Sequence, residues 1–327
     1  MSNVLILGGA GYLGGALTEL VNQKYDIDCP DEYIVFDCLL YPSLHVQPNI
    51  KFVKGDIRNN GLLKKYLDWC DVVVFLAALV GDGAGALTPE ATREINTDRV
   101  KFVAENCGEK RIIFCSSASC YGVKDGISDE NSELNPISLY AKTKIEAENI
   151  LKGRNAIVNR LGTLYGASSY GRIRLDLIIN TMSAHAYYNK KIKVMGGEQY
   201  RPVLHVKDAA RAIFLEIKSV KRGIYNLCSQ NVQIINLAYQ IKSHFPDTIL
   251  EILDIPAADL RNYRVDCSKA RKELSFNPIH TIDDAVIDLK FLFQSGLIEN
   301  WQDSKYHNWN YLKEFQNHVN IIENKKQ

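Results

Sequence analysis

Short apolar runs alternate with longer amphipathic stretches through the first half of the chain. The runs fall at 3–8, 33–37, 51–53, 72–76, 111–115 and 156–160, and their Val, Ile and Phe content reads as strand. The stretches between them, such as 12–24 and 90–107, carry apolar residues at helical spacing. Strand–helix–strand alternation predicts an α/β fold, a doubly wound parallel Rossmann sheet whose ligand sits at the carboxyl ends of the strands. After about residue 166 the rhythm loosens. A Gly- and Ser-rich loop spans 166–171, helices are expected over 174–189, 208–218, 234–244, 282–294 and 305–318, and strands over 192–195 and 223–227. The pattern predicts a first domain over 1–166, to which 201–227 also contributes, and a smaller α/β domain over 167–327.

Composition narrows the function classes. A chain of 327 residues can bury a large core, and its net charge of +1 gives no basic excess for a nucleic-acid partner. No apolar run reaches ~18 residues, so no membrane span is expected. The apolar residues 3–7 lack a basic segment before them and are followed by glycines, which argues against a signal peptide and for a cytoplasmic location. The eight cysteines show no CxxC spacing and read as reduced, mostly buried thiols, with no metal site.

Two motifs carry chemistry. The first apolar run ends in Gly8, Gly11 and Gly14, with Tyr12 and Leu13 between them, and a helix is expected to follow. This is the strand, tight turn and helix N-terminus that cradle a pyrophosphate. Asp37 closes the second run, 23 positions after Gly14, where a carboxylate can bond both ribose hydroxyls of NAD and repel a 2′-phosphate. Asp56 can accept from an adenine amino group with Ile57 against the ring, and the small residues of Leu76-Ala77-Ala78 permit close approach of the cofactor. The second motif is Tyr140 with Lys144, four apart and hence on one helix face. A phenol with a pKa of ~10 is a poor base at neutral pH, and a neighbouring ammonium together with a positive nicotinamide ring favours its ionised form.

With these residues the chain resembles the extended short-chain dehydrogenase/reductases of the nucleotide-sugar epimerase/dehydratase family. Matching segments run from residue 4 to about 286 and include Gly55-Asp56-Ile57-Arg58, Ile95-Asn96, Ser116 to Gly122, Arg160 to Gly166, Arg201 to Asp208 and Asp266 to Ala270. Leu7 departs from the family's usual Thr. The resemblance implies that Ser117 donates to the reacting oxygen, that Lys144 also holds the nicotinamide ribose, and that Asn96 belongs to the cofactor site. For the substrate it implies Ser119, Thr163, Arg172, Arg174 and Asn180, with Arg201 and Arg261 on its diphosphate. His205 and Asp208 read as structural, the first in a strand and the second capping a helix, and Cys120 as pointing into the sheet core. The family's 4,6-dehydratases carry an Asp-Glu pair where this chain has Ala118-Ser119, so loss of water is not expected. The implied activity is NAD-dependent hydride transfer at C4 of a nucleotide-activated sugar through a 4-keto species, as a 4-dehydrogenase or an epimerase, in making surface-polysaccharide precursors. The alternatives are a 4-keto-sugar reductase or a non-catalytic NAD-binding regulatory protein. Residues 161–166 and 174–177 depart from the commonest UDP-galactose epimerase pattern, which leaves GDP-linked sugars, including heptoses, open. A homodimer is expected.

Overall fold

The computed structural model describes residues 2–25, 31–43, 50–253 and 261–314. Seven parallel strands form its main sheet, in the order Gly223–Leu227, Ala156–Leu161, Arg111–Ser117, Val72–Phe75, Asn3–Leu7, Glu32–Asp37, Lys51–Lys54. The chain runs outward from Asn3–Leu7 to one edge, then returns and runs to the other. The reversal lies between Asn3–Leu7 and Val72–Phe75, the crevice where such sheets bind ligands.

Period-two alternation explains the layers. Val4 and Ile6 join one apolar cluster with Leu17, Val21 and Ile213, while Leu5 and Leu7 join another with Phe36, Leu63, Phe114 and Leu151. All four are fully buried, as expected of a strand covered by helices on both faces. A separate core, built on Tyr165, Ile179, Val194, Leu237, Ile241 and Val286, holds the later helices together. The helix Ile282–Gln294 starts at a capping box in which Thr281 and Asp284 exchange hydrogen bonds.

Several elements differ from expectation. The stretch 90–107 is not one helix. It holds Pro89–Arg93, a π-turn over Glu94–Asp98, and Arg99–Asn106. The helix expected from 174 begins at Ile178, because residues 174–176 form an irregular bent segment, Leu177 is extended, and Asn180 Nδ2 donates to the Arg174 carbonyl. The last expected helix becomes a short 3-10 turn, Ser304–Tyr306, and the helix Asn308–Glu314, while residues 315–318 lie outside the described residues. His205, not Asp208, caps the helix Val206–Glu216, accepting from the Lys207 amide. Asp208 lies inside that helix and accepts from the Ile279 and His280 amides instead. Short strands at Val123–Ser128, Thr163–Tyr165, Gln230–Gln233, Ile249–Leu253 and Asn262–Val265 went unread.

Cys29 lies outside the described residues. The other seven cysteines carry free thiols, and all but Cys38 are buried. Among the described residues no helix is long and apolar enough to cross a membrane.

Candidate active site

The carboxyl ends of the central strands open into a cavity of about 410 Å³. Gly8, Gly11, Tyr12, Leu13 and Gly14 form one wall, and Asp37, Asp56, Ile57, Leu76, Ala77 and Ala78 extend it. Gly8 has φ +84°, and a Cβ there would come within 2.6 Å of the Ala77 amide nitrogen, so the turn packs directly on the next strand's end. Asp37 accepts from the Ala10 amide at 3.0 Å and the Leu39 amide at 2.8 Å. Burial raises its pKa, and those two bonds oppose the rise. The turn, the helix it opens and a carboxylate at the end of the second strand together fit a dinucleotide. Asp56 is more committed than expected: its carboxylate takes the amide and the guanidinium of its own neighbour Arg58.

Tyr140 and Lys144 line the same cavity from the helix Leu139–Leu151, which Ser138 caps by accepting from the Ala141 amide. The Lys144 ammonium lies 5.7 Å from the Tyr140 ring centroid and donates to the Cys115 carbonyl at 2.7 Å. Burial pushes Lys144 down to about 8. Burial also pushes the Tyr140 phenol well above its ordinary value, Cys120 adds to the rise, and the Arg174 guanidinium opposes it. The cation acting against burial at Tyr140 is thus Arg174, which the spacing of Tyr140 and Lys144 did not suggest. Ser117 ends the strand Arg111–Ser117, and its Oγ lies 2.8 Å from Ser119 Oγ. Cys120 is buried in the 3-10 turn Ala118–Tyr121, not in a strand, and its thiol is pushed up to about 12 by burial.

Behind this wall lies a buried polar network that the sequence reading missed. Glu148, on the same helix, pairs with Arg160 at 2.6 Å and accepts from Ser116 Oγ. Arg160 Nη1 donates to the Tyr121 hydroxyl, which donates to Asn226 Oδ1. Glu148 stands four positions after Lys144, so helical spacing was the signal that could have found it.

The remaining expected residues separate into groups. Asn96 does not line the cavity. Its buried amide accepts from the Leu79 amide and donates to the Leu79 carbonyl, which fixes the loop after Ala78. Asn180 is likewise fully buried, accepting from the Gly166 amide and donating to the Arg174 carbonyl, so it shapes the loop rather than meeting a ligand. Arg172 and Arg174, expected on the substrate, line the cavity with the glycine turn. Arg201 and Arg261 are brought together elsewhere: Arg201 Nη1 donates to the Arg261 carbonyl, and Arg261 pairs with Asp82 at 3.2 Å. Asp82 opens the helix Asp82–Leu87, where a Cβ on Gly85 would stand 3.6 Å from Tyr140 Cβ. Thr163 begins a strand paired with Val203, and neither it nor Ser117 nor Ser119 is among the residues that line the cavity, which Ser116 does.

The far rim comes from the end of the described chain. Asn308 lines the cavity, donates to the Val80 carbonyl at 2.8 Å, accepts from Arg172 Nη1 and gives its amide to Asp176. Arg172 also donates twice to the Lys305 carbonyl, and its guanidinium stacks 4.0 Å from the Tyr41 ring. Nothing in the local sequence around 308 signals this role.

Comparison with known proteins bears on the whole site. The model of a family described as the NAD dependent epimerase/dehydratase family matches residues 4–228. The chain is similar to a UDP-glucose 4-epimerase of Lactobacillus helveticus, 27% identical over 92% of this chain and 99% of that protein. It is also similar to a dTDP-glucose 4,6-dehydratase of Streptomyces niveus, 26% identical over 87% of this chain and 90% of that protein. In fold it resembles the crystal structure of DesIV, a dTDP-glucose 4,6-dehydratase from Streptomyces venezuelae with NAD bound, with a TM-score of 0.78 and 22% identity over 93% of this chain and 99% of that one.

Proposed function

Because the chain belongs to the NAD dependent epimerase/dehydratase family, we propose that it moves a hydride at C4 of a nucleotide-activated sugar and performs 4-epimerisation without loss of water. When bound, NAD supplies the hydride acceptor and, later, donor. For this step Tyr140 must first give up its phenol proton to solvent, which the Lys144 and Arg174 charges and the positive nicotinamide ring of bound NAD would favour against burial. The phenolate then takes the C4 hydroxyl proton as the C4 hydride leaves, and returns it when the ketone is reduced from the other face. Ser117 donates to the same oxygen. Lys144, held by the Cys115 carbonyl, keeps a positive charge beside the phenol below a pH of about 8. Arg201 and Arg261 take the substrate diphosphate, which displaces Asp82 from its guanidinium partner.

The observation that carries the absence of dehydration is Ala118-Ser119. Directly after Ser117 there is no carboxyl group to protonate a leaving hydroxyl or to remove a carbon-bound proton. The cavity rim that Arg172 and Asn308 join supports the redox-neutral outcome, because a rim that slows exchange of bound NAD would favour its recycling in place.

The test is to incubate the protein in deuterated water with GDP-, UDP-, dTDP- and CDP-linked hexoses and heptoses and weigh the products. A product of unchanged mass, with no solvent deuterium on carbon, is expected. A product lighter by one water overturns the reading of Ala118-Ser119, and one lighter by two hydrogens makes the enzyme a net dehydrogenase. The sugar panel also identifies the base.

A further inference from the structure

The loop that carries Arg172 and Arg174 is built against the glycine turn rather than against the substrate arginines. Gly171 has φ +76°, and a Cβ there would come within 2.5 Å of the Gly11 carbonyl and 2.6 Å of Gly15 Cα. Tyr12, the first residue of the helix Tyr12–Tyr25, donates its hydroxyl to the Gly166 carbonyl at 2.6 Å. Asn180 Nδ2 ties the Tyr12 hydroxyl to the Arg174 carbonyl, at 3.4 and 2.7 Å. Arg174 is therefore anchored to the first turn of the helix whose free amides face a phosphate.

Its guanidinium is half used. Nε and Nη2 donate to Asp176 at 2.9 and 3.1 Å, while Nη1 makes no hydrogen bond among the described residues and the side chain lines the cavity. The other cations of the cavity are differently placed. Arg172 spends all three guanidinium nitrogens on the Lys305 carbonyl and Asn308. Lys144 is held at the Cys115 carbonyl, and Arg58 is bound to Asp56. Arg201 and Arg261 sit together away from the cavity lining.

We propose that Arg174 is the counter-ion of the cofactor's pyrophosphate, supplied from the substrate-side loop, so that the dinucleotide joins the two halves of the chain. This assignment rests on the family's use of NAD and not on which sugar is turned over. Asp176 orients the guanidinium edge-on and leaves the Nη1 edge for a phosphate oxygen, a charge-assisted contact beside the helix N-terminus. The same charge, acting against the burial of Tyr140, ties the state of the catalytic phenol to the occupied cofactor site.

The experiment titrates wild type, Arg174→Gln and Arg174→Lys with adenosine, ADP, ADP-ribose and NAD, and separately with UDP and GDP, by calorimetry. Arg174→Gln is expected to weaken ADP, ADP-ribose and NAD by roughly 10- to 100-fold while adenosine changes less than about twofold, with Lys recovering part of the loss. The dependence of NAD affinity on salt should flatten in the Gln variant, and UDP and GDP should bind as in wild type. An equal loss for adenosine overturns the assignment, since it marks collapse of the loop. A loss confined to UDP and GDP overturns it too, returning Arg174 to the substrate. A wild-type chain that binds no dinucleotide overturns this assignment and the proposed function together, whereas normal NAD binding without epimerisation overturns only the latter.

Discussion

Glu216 ends the helix Val206–Glu216 almost wholly out of water, accepting from Asn159 Nδ2 and making no carboxylate ion pair among the described residues, with Arg111 held at its backbone carbonyl. Burial raises its pKa to about 8, and the Asn159 bond and the Arg111 charge oppose the rise only in part. The native state therefore binds a proton that the unfolded chain releases near pH 4.5. The stability this contributes is complete below about 4.5 and is lost progressively as pH climbs to about 8. Glu216→Gln keeps the shape without the titration and can offer an N–H to Asn159 Oδ1, which is buried without a partner. The variant should melt several degrees above wild type at pH 8 and close to it at pH 4.5, as thermal denaturation at the two pH values will show. The legibility of single residues followed the same physics. That Gly8, Asp37, Tyr140 and Lys144 share one cavity was readable because the strand–turn–helix and helix spacings that carry them fix where they stand. Asn96, Asn180 and Arg174 were recognised as polar residues of the site, but a sequence does not say which backbone group or cavity their side chains meet. Asn96 and Asn180 bond to loop backbone, and Arg174 lines the cavity beside the glycine turn.

Elements with a strong period were legible, and those without one were not. The seven sheet strands alternate or run continuously apolar, so their positions came within a residue or two. The short strands Val123–Ser128, mostly exposed, and Gln230–Gln233, mostly half-buried, are largely polar and gave no periodic signal. The π-turn at Glu94–Asp98 was invisible because it keeps a helical composition while shifting the register that aims Asn96 at Leu79. The loop at 166–174 was readable as a loop, but its docking on the glycine turn was not. That docking can be tested against simple backbone strain. Gly171 and Gly153 share a left-handed φ, +76° and +79°, yet a Cβ at 153 meets nothing within 4 Å. Gly153→Ala should lose only the strain of about 1–2 kcal/mol. Gly171→Ala should in addition push the loop off Gly11 and Gly15 and weaken NAD at least tenfold in a fluorescence titration, with the far-ultraviolet circular dichroism of both variants unchanged.

Across the whole molecule, the cofactor cavity is assembled from the sheet's switch point, the 166–174 loop and the segment around Asn308. Asn308 is the joint, because its one amide group reaches both the Val80 carbonyl and Arg172. Asn308→Ala leaves those groups unsatisfied at the cavity's rim, a loss of about 1–3 kcal/mol. NAD release should quicken by roughly tenfold or more in a stopped-flow displacement experiment, while the melting temperature of the cofactor-free protein moves by only a few degrees. The Asn308–Val80 bond closes a separation of 228 positions. The ribosome extends a chain from its N-terminus at about 5–20 residues per second. All seven strands of the main sheet, through Leu227, thus emerge several seconds before Asn308 does. The nascent chain can form the glycine turn and pair its strands early, but the joint across the cavity forms only after synthesis has passed residue 308. If Asn308 slows release of the dinucleotide as proposed, a chain can hold NAD with its full residence time only once translation has run through that point.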